Sequence, residues 1–525
     1  MRKVTLALLT VVVGLFMAGC GNQSSTTSTT NNPSGNTAPV GMTVTDTPPD
    51  GVTVLFFQLN ITGATLTPQS TSAKPVSLLS STYPIPVNVA QLQSELFFLG
   101  NANVPAGAYS GLQVTFANPQ LTIYNASDTN ISSTCPVGQV CQITPGLADA
   151  STLTVTFSAP TPPFPVTLIA SSPLAFKLDI HLDTVIQSDL TLNLSVPNGV
   201  TISEISPPSP GAPIPGLGKL RGTIQTVNTS SNAFTLQTWA GRTFTIDVNS
   251  STTYENFPSS STCSVSAESF GCLAPGQYVK VTVTLQSDGT LLATEVDYIA
   301  PSAQLSVEGT IIGLSTSNGN TIMHLILQWE PSSSMSNTLP LGHHARVIVP
   351  STCTYAWSGG TSIPDGFTFA SASDLVVGQQ VLVVVQGTVN TSSSDATGST
   401  AFGRSAVTFT ASSITLEPSQ ITGTVASTPD ASTGTFTLAT MPVFFVPPSA
   451  TPGGAPPWAP VIITVQTQTT TTYTNLTPDN FSGLAINNVV SVEGWVFSTP
   501  SASPSPTITV LAEAVVGRPG VIPLF

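Results

Sequence analysis

The chain has 525 residues, of which 40% are hydrophobic and only 7% are charged, and its 11 Lys and Arg against 25 Asp and Glu give a net charge of −14. This balance argues against a nucleic-acid partner, because phosphates need a basic face, and the hydrophobic share argues against a disordered chain. The length suggests three or four domains. With 45 Pro, 40 Gly and almost no helical periodicity, the composition predicts an all-β protein with many turns.

The N-terminus has the layout of a secretory signal. A positive head precedes an apolar run, Val4 to Met17, that is shorter than the about 20 residues of a membrane span. The run ends in Ala18-Gly19-Cys20, and at this point the chain resembles a bacterial lipoprotein precursor. The resemblance implies removal of residues 1–19 and lipidation of Cys20, with an ordinary cleaved signal and an incidental cysteine as the alternative.

The residues after Cys20 indicate how the folded part is held. Gly21, not Asp, follows the cysteine, so the resemblance implies a lipid-anchored protein of the cell envelope, in the outer membrane of a diderm host. Two acyl chains on Cys20 would make the bilayer a stable partner. Residues 20–40 are rich in Ser, Thr and Asn and contain no charge, which predicts a disordered tether.

Residues 41–205 read as short strands separated by turns, which predicts a β-sandwich. Only Val87 to Gly100 has apolar spacing that suits a short helix. Three pieces, Thr45–Pro48, Leu99–Tyr109 and Phe176–Ile180, resemble the domain-of-unknown-function family 4382, and the resemblance implies an Ig-like envelope module. The Pro-rich residues 206–218 then predict a semi-stiff linker.

The rest of the chain repeats one pattern three times, over residues 219–301, 302–417 and 418–518. Each copy opens on Gly-Thr-[Ile/Val], as at Gly222, continues through Thr-x-Tyr or its variant, and ends in a long strand after a Gly-Gln or Asn-Asn turn. Five or so strands in about 80–100 residues predict a small closed barrel. The pattern resembles the domain-of-unknown-function family 5666, and more loosely an OB-like barrel.

The cysteines indicate an oxidising compartment. Cys135 and Cys141 lie close in sequence, as do Cys263 and Cys272, and each pair is a possible disulfide that closes a small loop. Cys353 remains, and its place in a strand-like run predicts a buried thiol.

Histidines and carboxylates give the strongest hints of chemistry. On a strand, Asp179, His181 and Asp183 share one face and are candidate ligands for a divalent ion, but same-face positions lie about 6.6 Å apart, and an amphipathic strand with a solvated face is the favoured interpretation. The neighbours His343 and His344 suit a loop. His324 lies in an apolar run, which indicates a lone packed or edge histidine.

No motif for a catalytic triad, zinc protease or phosphate loop is present in the sequence. Trp239 and Trp458 are candidates for stacking on sugar rings, although barrel packing is the favoured role. We therefore predict a non-catalytic, multi-domain cell-envelope lipoprotein with a binding or scaffold role and no cofactor or metal. The alternatives are a surface adhesin that binds polysaccharide, with polysaccharide or an envelope protein as partner, and a metal-dependent hydrolase that uses Asp179 and His181.

Overall fold

The computed structural model describes residues 36–518 with several exceptions. These are residues 48–52, 80–83, 93–95, 126–129, 131, 134, 138, 148–150, 188–190, 239–240, 261, 265–267, 300–304, 330–338, 340, 361, 391–406, 441–460 and 500–506. The described part contains 28 strands and a single α-helical turn, so the prediction of an all-β protein is confirmed. Cys20, Trp239 and Trp458 lie outside the described residues.

Eleven strands form the N-terminal module. They are β1 (Thr37–Thr47), β2 (Thr53–Pro68), β3 (Val76–Leu79), β4 (Ile85–Asn88), β5 (Phe97–Pro105), β6 (Gly107–Tyr124), β7 (Val140–Ile143), β8 (Thr152–Ser158), β9 (Val166–Leu168), β10 (Leu174–His181) and β11 (Val200–Ile205), with α1 (Leu182–Val185) after β10. One sheet has the order β11-β10-β1-β5, and the other is built on β2 and β6. Apolar side chains of both sheets share one core, so this module has two packed layers, and its Ig-like character stays a prediction.

Seventeen strands form three further modules. Barrel 1 contains β12 (Lys219–Asn228), β13 (Ala233–Thr238), β14 (Thr243–Asp247), β15 (Thr253–Glu255), β16 (Tyr278–Leu285) and β17 (Leu291–Ile299). Barrel 2 contains β18 (Ser306–Ser317), β19 (Asn320–Trp329), β20 (His344–Val349), β21 (Thr354–Trp357), β22 (Gln380–Asn390) and β23 (Val407–Glu417). Barrel 3 contains β24 (Ser419–Val425), β25 (Thr435–Thr440), β26 (Val461–Thr474), β27 (Val489–Thr499) and β28 (Thr507–Gly517).

The three barrels share one topology. In barrel 1 the pairing runs β12-β13-β14-β17-β16 and returns to β12, with β14 and β17 parallel. Barrel 2 repeats this order through β20 and β23, and barrel 3 through β26 and β28. Each barrel is closed, which leaves its main strands without a free edge and confirms the predicted small barrels.

The glycine that opens each copy has a packing reason. A Cβ atom on Gly222 would lie 2.3 Å from the carbonyl oxygen of Gln237 on the neighbouring strand. The equivalent distances are 2.6 Å from Gly309 to the Ile326 oxygen and 2.3 Å from Gly423 to that of Ala439. Real Cβ contacts are not this short, so only glycine allows the first two strands to approach so closely.

The Thr-x-Tyr element also has a structural role. The Thr252 hydroxyl donates to the Ala293 carbonyl at 2.7 Å, and the Thr471 hydroxyl donates to that of Ala512 at the same distance. Each bond ties the barrel wall to its last strand. In barrel 2 the position two residues before the tyrosine is Cys353, a buried free thiol whose pKa burial raises to about 11. The unreactive thiol therefore occupies a structural position.

Two segments differ from expectation. The prediction of a short helix over Val87 to Gly100 is wrong, because the chain there forms the end of β4, a 3-10 turn at Val89–Gln91 and the start of β5. Within the proline-rich linker 206–218, Ile214 and Leu217 are fully buried in the core of barrel 1. The backbone of Ile214 also pairs with that of Leu285, so this end of the linker is part of barrel 1.

Both predicted cysteine pairs are bonded in the structure. Cys135 is joined to Cys141, and Cys263 is joined to Cys272. Each bond closes a short loop and has its sulfur atoms buried within a module core. The structure thus uses four cysteines to staple loops in two different modules.

Candidate functional site

A cavity of about 250 Å³ lies where the N-terminal module and the three barrels meet. All four modules contribute to its lining. The N-terminal module contributes β2, β4 and β5, and barrel 1 contributes β12, β14 and β16. Barrel 2 contributes β18, β19 and β22, and barrel 3 contributes β24 and β27. Charged side chains are concentrated in this lining. They are Lys219, Arg221, Arg242, Lys280, Glu308, Glu417 and Glu493.

This concentration is unusual for the composition of the chain. Four of its 11 Lys and Arg residues line one cavity, although only 7% of all residues are charged. Buried charges are costly unless they are paired or hydrogen-bonded. The arrangement of partners around the cavity therefore decides what it can do chemically.

One ion pair joins barrel 1 to barrel 2. The Nη1 atom of Arg221 lies 3.1 Å from the Oε2 atom of Glu308, whose side chain is 8% exposed. The other carboxylate oxygen of Glu308 accepts from the amide of Gln380. Arg221 and Glu308 occupy the same position in their barrels, directly before the glycine that opens each copy. Copies of one motif thus present opposite charges to each other.

A second ion pair joins barrel 1 to barrel 3. The Nζ atom of Lys219 lies 3.3 Å from the Oε1 atom of Glu493, and both side chains are largely buried. Within barrel 1, Lys280 pairs with Asp297 across β16 and β17 at 3.6 Å. Three of the four cations in the lining therefore have a carboxylate partner.

The fourth cation, Arg242, is held differently. Its Nη1 atom donates to the carbonyl oxygen of Leu99, and its Cζ atom lies 4.8 Å from the centre of the Phe244 ring. Among the described residues it has no carboxylate within ion-pair distance. Burial lowers the pKa of Arg242 to about 10, which leaves the guanidinium charged at neutral pH. Gly100 makes room for it, because a Cβ atom there would lie 2.6 Å from Nη2.

Glu417 behaves as a neutral acid at neutral pH. Burial raises the pKa of its carboxyl to about 8, and the nearby Glu308 carboxylate adds to the rise against the opposing effect of Lys280. Burial also raises the pKa of the Tyr278 hydroxyl, which lines the same cavity. Apart from Glu417, the lining then holds four basic side chains and two acidic ones, Glu308 and Glu493.

Polar bonds between modules fix the walls of the cavity. The Gln328 amide in barrel 2 donates to the Leu55 carbonyl of the N-terminal module at 2.7 Å and accepts from Asn88 at 2.7 Å. The Gln379 amide of barrel 2 donates to the Val496 carbonyl of barrel 3 at 2.9 Å. Because the bonds to Leu55 and Val496 are buried, they hold the modules at fixed distances around the cavity.

The candidate ion ligands of β10 do not line the cavity. The Nε2 atom of His181 lies 3.2 Å from the hydroxyl of Thr201 on the neighbouring strand. Asp183 falls in α1 and not on the strand, so the predicted single face of Asp179, His181 and Asp183 is wrong. Among the residues that the structure describes, no three His, Cys, Asp or Glu side chains form a group suited to a metal ion.

The interpretation of His324 as a lone histidine is also wrong. Its Nδ1 atom lies 2.9 Å from the Nε2 atom of His344, and its Nε2 atom lies 3.1 Å from the hydroxyl of Ser315. The two imidazoles face outward from adjacent strands of barrel 2 and are both buried. Burial, together with Arg346, lowers the pKa of His324 to about 4. His343, next to this pair, is not on a strand.

Sequence reasoning missed the cavity altogether. Its members Arg221 and Glu308 are 87 residues apart, and Lys219 and Glu493 are 274 residues apart. One signal was present in the repeats, because a charged residue next to the opening glycine is rare in a chain this poor in charge. The structure also contains, in its described part, no helix with the length and apolarity needed to cross a bilayer.

Comparison with known proteins places one segment in a family. The model of the family described as "Domain of unknown function (DUF5666)" matches residues 221–297, which lie within barrel 1. The search of curated proteins found no match. The resemblance of residues 41–205 to family 4382 and the lipoprotein nature of the chain stay predictions.

Among solved structures, the chain is similar to the single-stranded DNA binding protein from Thermus aquaticus. The identity is 14%, the match covers 42% of this chain and 94% of the other, and the TM-score is 0.15. At this score the likeness carries no argument about function.

The predicted partners need correction. The exclusion of nucleic acid is withdrawn, because it rested on the overall composition and an acidic chain can gather its cations in one place, as this chain does at the cavity. The other predicted partners, a bilayer bound through Cys20 and a polysaccharide or envelope protein, find no support in these comparisons.

Proposed function

We propose that this protein is a non-catalytic binding protein of the cell envelope, and that its binding site is the cavity between the four modules. The observation that carries the proposal is the shared lining, to which every module contributes charged or polar side chains. Ligand sites in proteins are concave, largely pre-formed, and common at domain interfaces. A cavity fixed on all sides by buried bonds fits this description.

Rigidity supports a binding role. The ion pairs from Arg221 and Lys219 and the amide bonds of Gln328 and Gln379 join the modules directly at the cavity. A pre-formed site binds without the entropic cost of ordering its walls. The same bonds hold the four modules together, so a binding role and a scaffold role rest on the same contacts.

The signal-like N-terminus and the two disulfides support an envelope location. Disulfides persist in oxidising compartments and are rare in the cytosol. The full chain with Cys20→Ser, purified from the producing cell without reductant, is expected to show one free thiol after denaturation, that of Cys353. A count of three or five thiols would contradict an oxidised envelope protein.

Blocking the cavity tests the binding role. The variant Ala90→Trp fills part of the lining, and Thr310→Phe does the same from barrel 2. The matched control is Ala73→Trp in an exposed turn. We expect at least one of three small probes, benzoate, benzylamine or benzamide, to raise the Tm of the unaltered protein and of the control, because a ligand of the native state stabilises it.

The blocked variants should lose this rise in Tm while they keep the Tm of the unliganded protein within a few degrees. If no probe raises the Tm of the unaltered protein, or if the blocked variants respond as the unaltered protein does, the cavity is not a binding site for molecules of this size.

A further inference from the structure

We propose that the cavity takes a small organic carboxylate with an apolar body, and that the Arg242 guanidinium is the group that receives the carboxylate. This inference rests on the proposed function and names its ligand class. It concerns a single side chain, so it can fail while the binding role stands.

Arg242 differs from the other cations of the lining in its partners. Glu308 and Glu493 are engaged by Arg221 and Lys219, and Lys280 is engaged by Asp297. Arg242 is the cation of the lining that has no carboxylate among the described residues, and its recorded contacts are the Leu99 carbonyl and the Phe244 ring. A largely buried charge without a counterion is costly. A carboxylate from outside the chain would supply that counterion.

The guanidinium of Arg242 has the donor geometry to receive a carboxylate. A guanidinium carries five N–H donors in a planar fork and matches a carboxylate through two parallel hydrogen bonds. The bond to Leu99 engages Nη1, which leaves donors on the other nitrogens. Gly100 has φ +152 and no side chain, and this lets Nη2 pack against its backbone. Leu99 and Gly100 therefore fix the position of the guanidinium, which lines the cavity.

The apolar part of the lining suits a ligand with an apolar body. Phe244 lies against Arg242, the ring centre of Phe98 is 6.0 Å from that of Phe244, and Phe97, Leu92 and Leu96 continue the apolar wall. Aromatic rings favour flat apolar partners in offset or edge-on contact. The about 250 Å³ of the cavity equals the share of roughly eight water molecules in liquid water. A molecule of that bulk with one carboxylate satisfies both the charge and the shape.

The balance of charges in the lining disfavours a cation as the main ligand. The cations of the lining outnumber its ionised carboxylates at neutral pH, although the whole chain has a net charge of −14. A cationic ligand would meet like charges at close range, and repulsion of this kind discriminates between ligands. A neutral isostere would leave the Arg242 charge unpaired.

The experiment compares three probes of similar size on the full chain by isothermal titration calorimetry. Benzoate carries the carboxylate, benzamide is its neutral isostere, and benzylamine is a cation. Four proteins are titrated, namely the unaltered chain, Arg242→Gln, Arg242→Lys and the control Arg346→Gln, whose arginine lies on β20 outside the lining.

We expect benzoate to bind the unaltered chain at least tenfold more tightly than benzamide, with benzylamine weaker still. Arg242→Gln should weaken benzoate at least tenfold and leave benzamide unchanged, and Arg242→Lys should fall between, because a lysine keeps the charge and loses the fork. Arg346→Gln should bind all three as the unaltered chain does.

The outcomes separate this inference from the proposed function. If benzamide or benzylamine binds as tightly as benzoate, and the blocked variant Ala90→Trp abolishes that binding, the cavity is a binding site and the carboxylate inference is overturned. If benzoate binds equally to the unaltered chain and to folded Arg242→Gln and Arg242→Lys, Arg242 is not the receiving group. If no probe binds the unaltered chain, both proposals fall.

Discussion

The residues inside the barrels are alike in the three copies, whereas the residues that face the cavity differ, although the same strands carry both. Inside, the three copies share a glycine at each close approach, and barrels 1 and 3 share a threonine that bonds to the last strand. Outside, the position before that glycine is Arg221 in the first copy, Glu308 in the second and Thr422 in the third. Repetition thus preserves the fold, and divergence of the outward faces creates the site.

The largest effect is expected from breaking the shared interior. Gly222→Ala places a Cβ atom 2.3 Å from the Gln237 carbonyl, so the strands must shift, and we expect a loss of about 3 kcal/mol in the free energy of unfolding. The control is Gly63→Ala in β2, where no atom lies within 4 Å of the added carbon. Urea denaturation measures both. Equal stability of the two variants would contradict the packing role of this glycine.

The cavity is tested through pH. Because the pKa of Glu417 is raised to about 8 in the folded protein, the unfolded chain loses this proton first, near the ordinary value of 4.5. The contribution of Glu417 is therefore complete below pH 4.5 and is lost as the pH rises to 8. Glu417→Gln removes the titration. We expect the unaltered protein to lose roughly 2.5 kcal/mol more than the variant between pH 5 and pH 7.

Chemical denaturation at several pH values measures this difference. Glu204→Gln, at an exposed position on β11, is the control and should follow the unaltered protein at every pH. A Glu417→Gln profile with the slope of the unaltered protein would show that this carboxyl does not titrate in the expected range.

The smallest effect sharpens the comparison between copies. Thr471→Val removes a buried hydroxyl that donates to the Ala512 carbonyl and accepts from the backbone N–H of Gln468, so we expect a loss of about 1–2 kcal/mol. In barrel 2, Cys353→Thr should cost less than about 0.5 kcal/mol, because threonine is the residue of the other two copies.

Urea denaturation again gives the values, and Thr472→Val, whose hydroxyl is exposed, is the neighbouring control. If Cys353→Thr destabilises the protein as much as Thr471→Val does, the copies do not share this position, and the assignment of Cys353 to a structural role is wrong.

The barrels were predictable from the sequence because their determinants are local and repeated. Gly222, Thr252 and their equivalents recur with the strands around them, and each acts within one barrel. The predicted helix over Val87 to Gly100 failed because two strand ends and a 3-10 turn bury Val89 and Leu92 with the spacing of a helical face.

The cavity was not predictable for a physical reason. Its ion pairs join strands of different barrels, and the sequence of one barrel does not state which outward face meets which neighbour. The pairing of His324 with His344 was easier to predict from the sequence, because the two residues lie on adjacent antiparallel strands only 20 positions apart. The missing information there was the register, which decides which side chains meet across a strand pair.

Barrel closure has a consequence for the handling of the protein. Residues 381–386 of β22 read VLVVVQ, an uncharged β-branched run of the kind that stacks into fibrils when it is exposed. In the barrel, β22 pairs with β18 on one side and β23 on the other, so both of its edges are covered. That protection ends when the barrel opens. Refolding from urea should therefore succeed in dilute solution and give way to precipitation as the protein concentration rises.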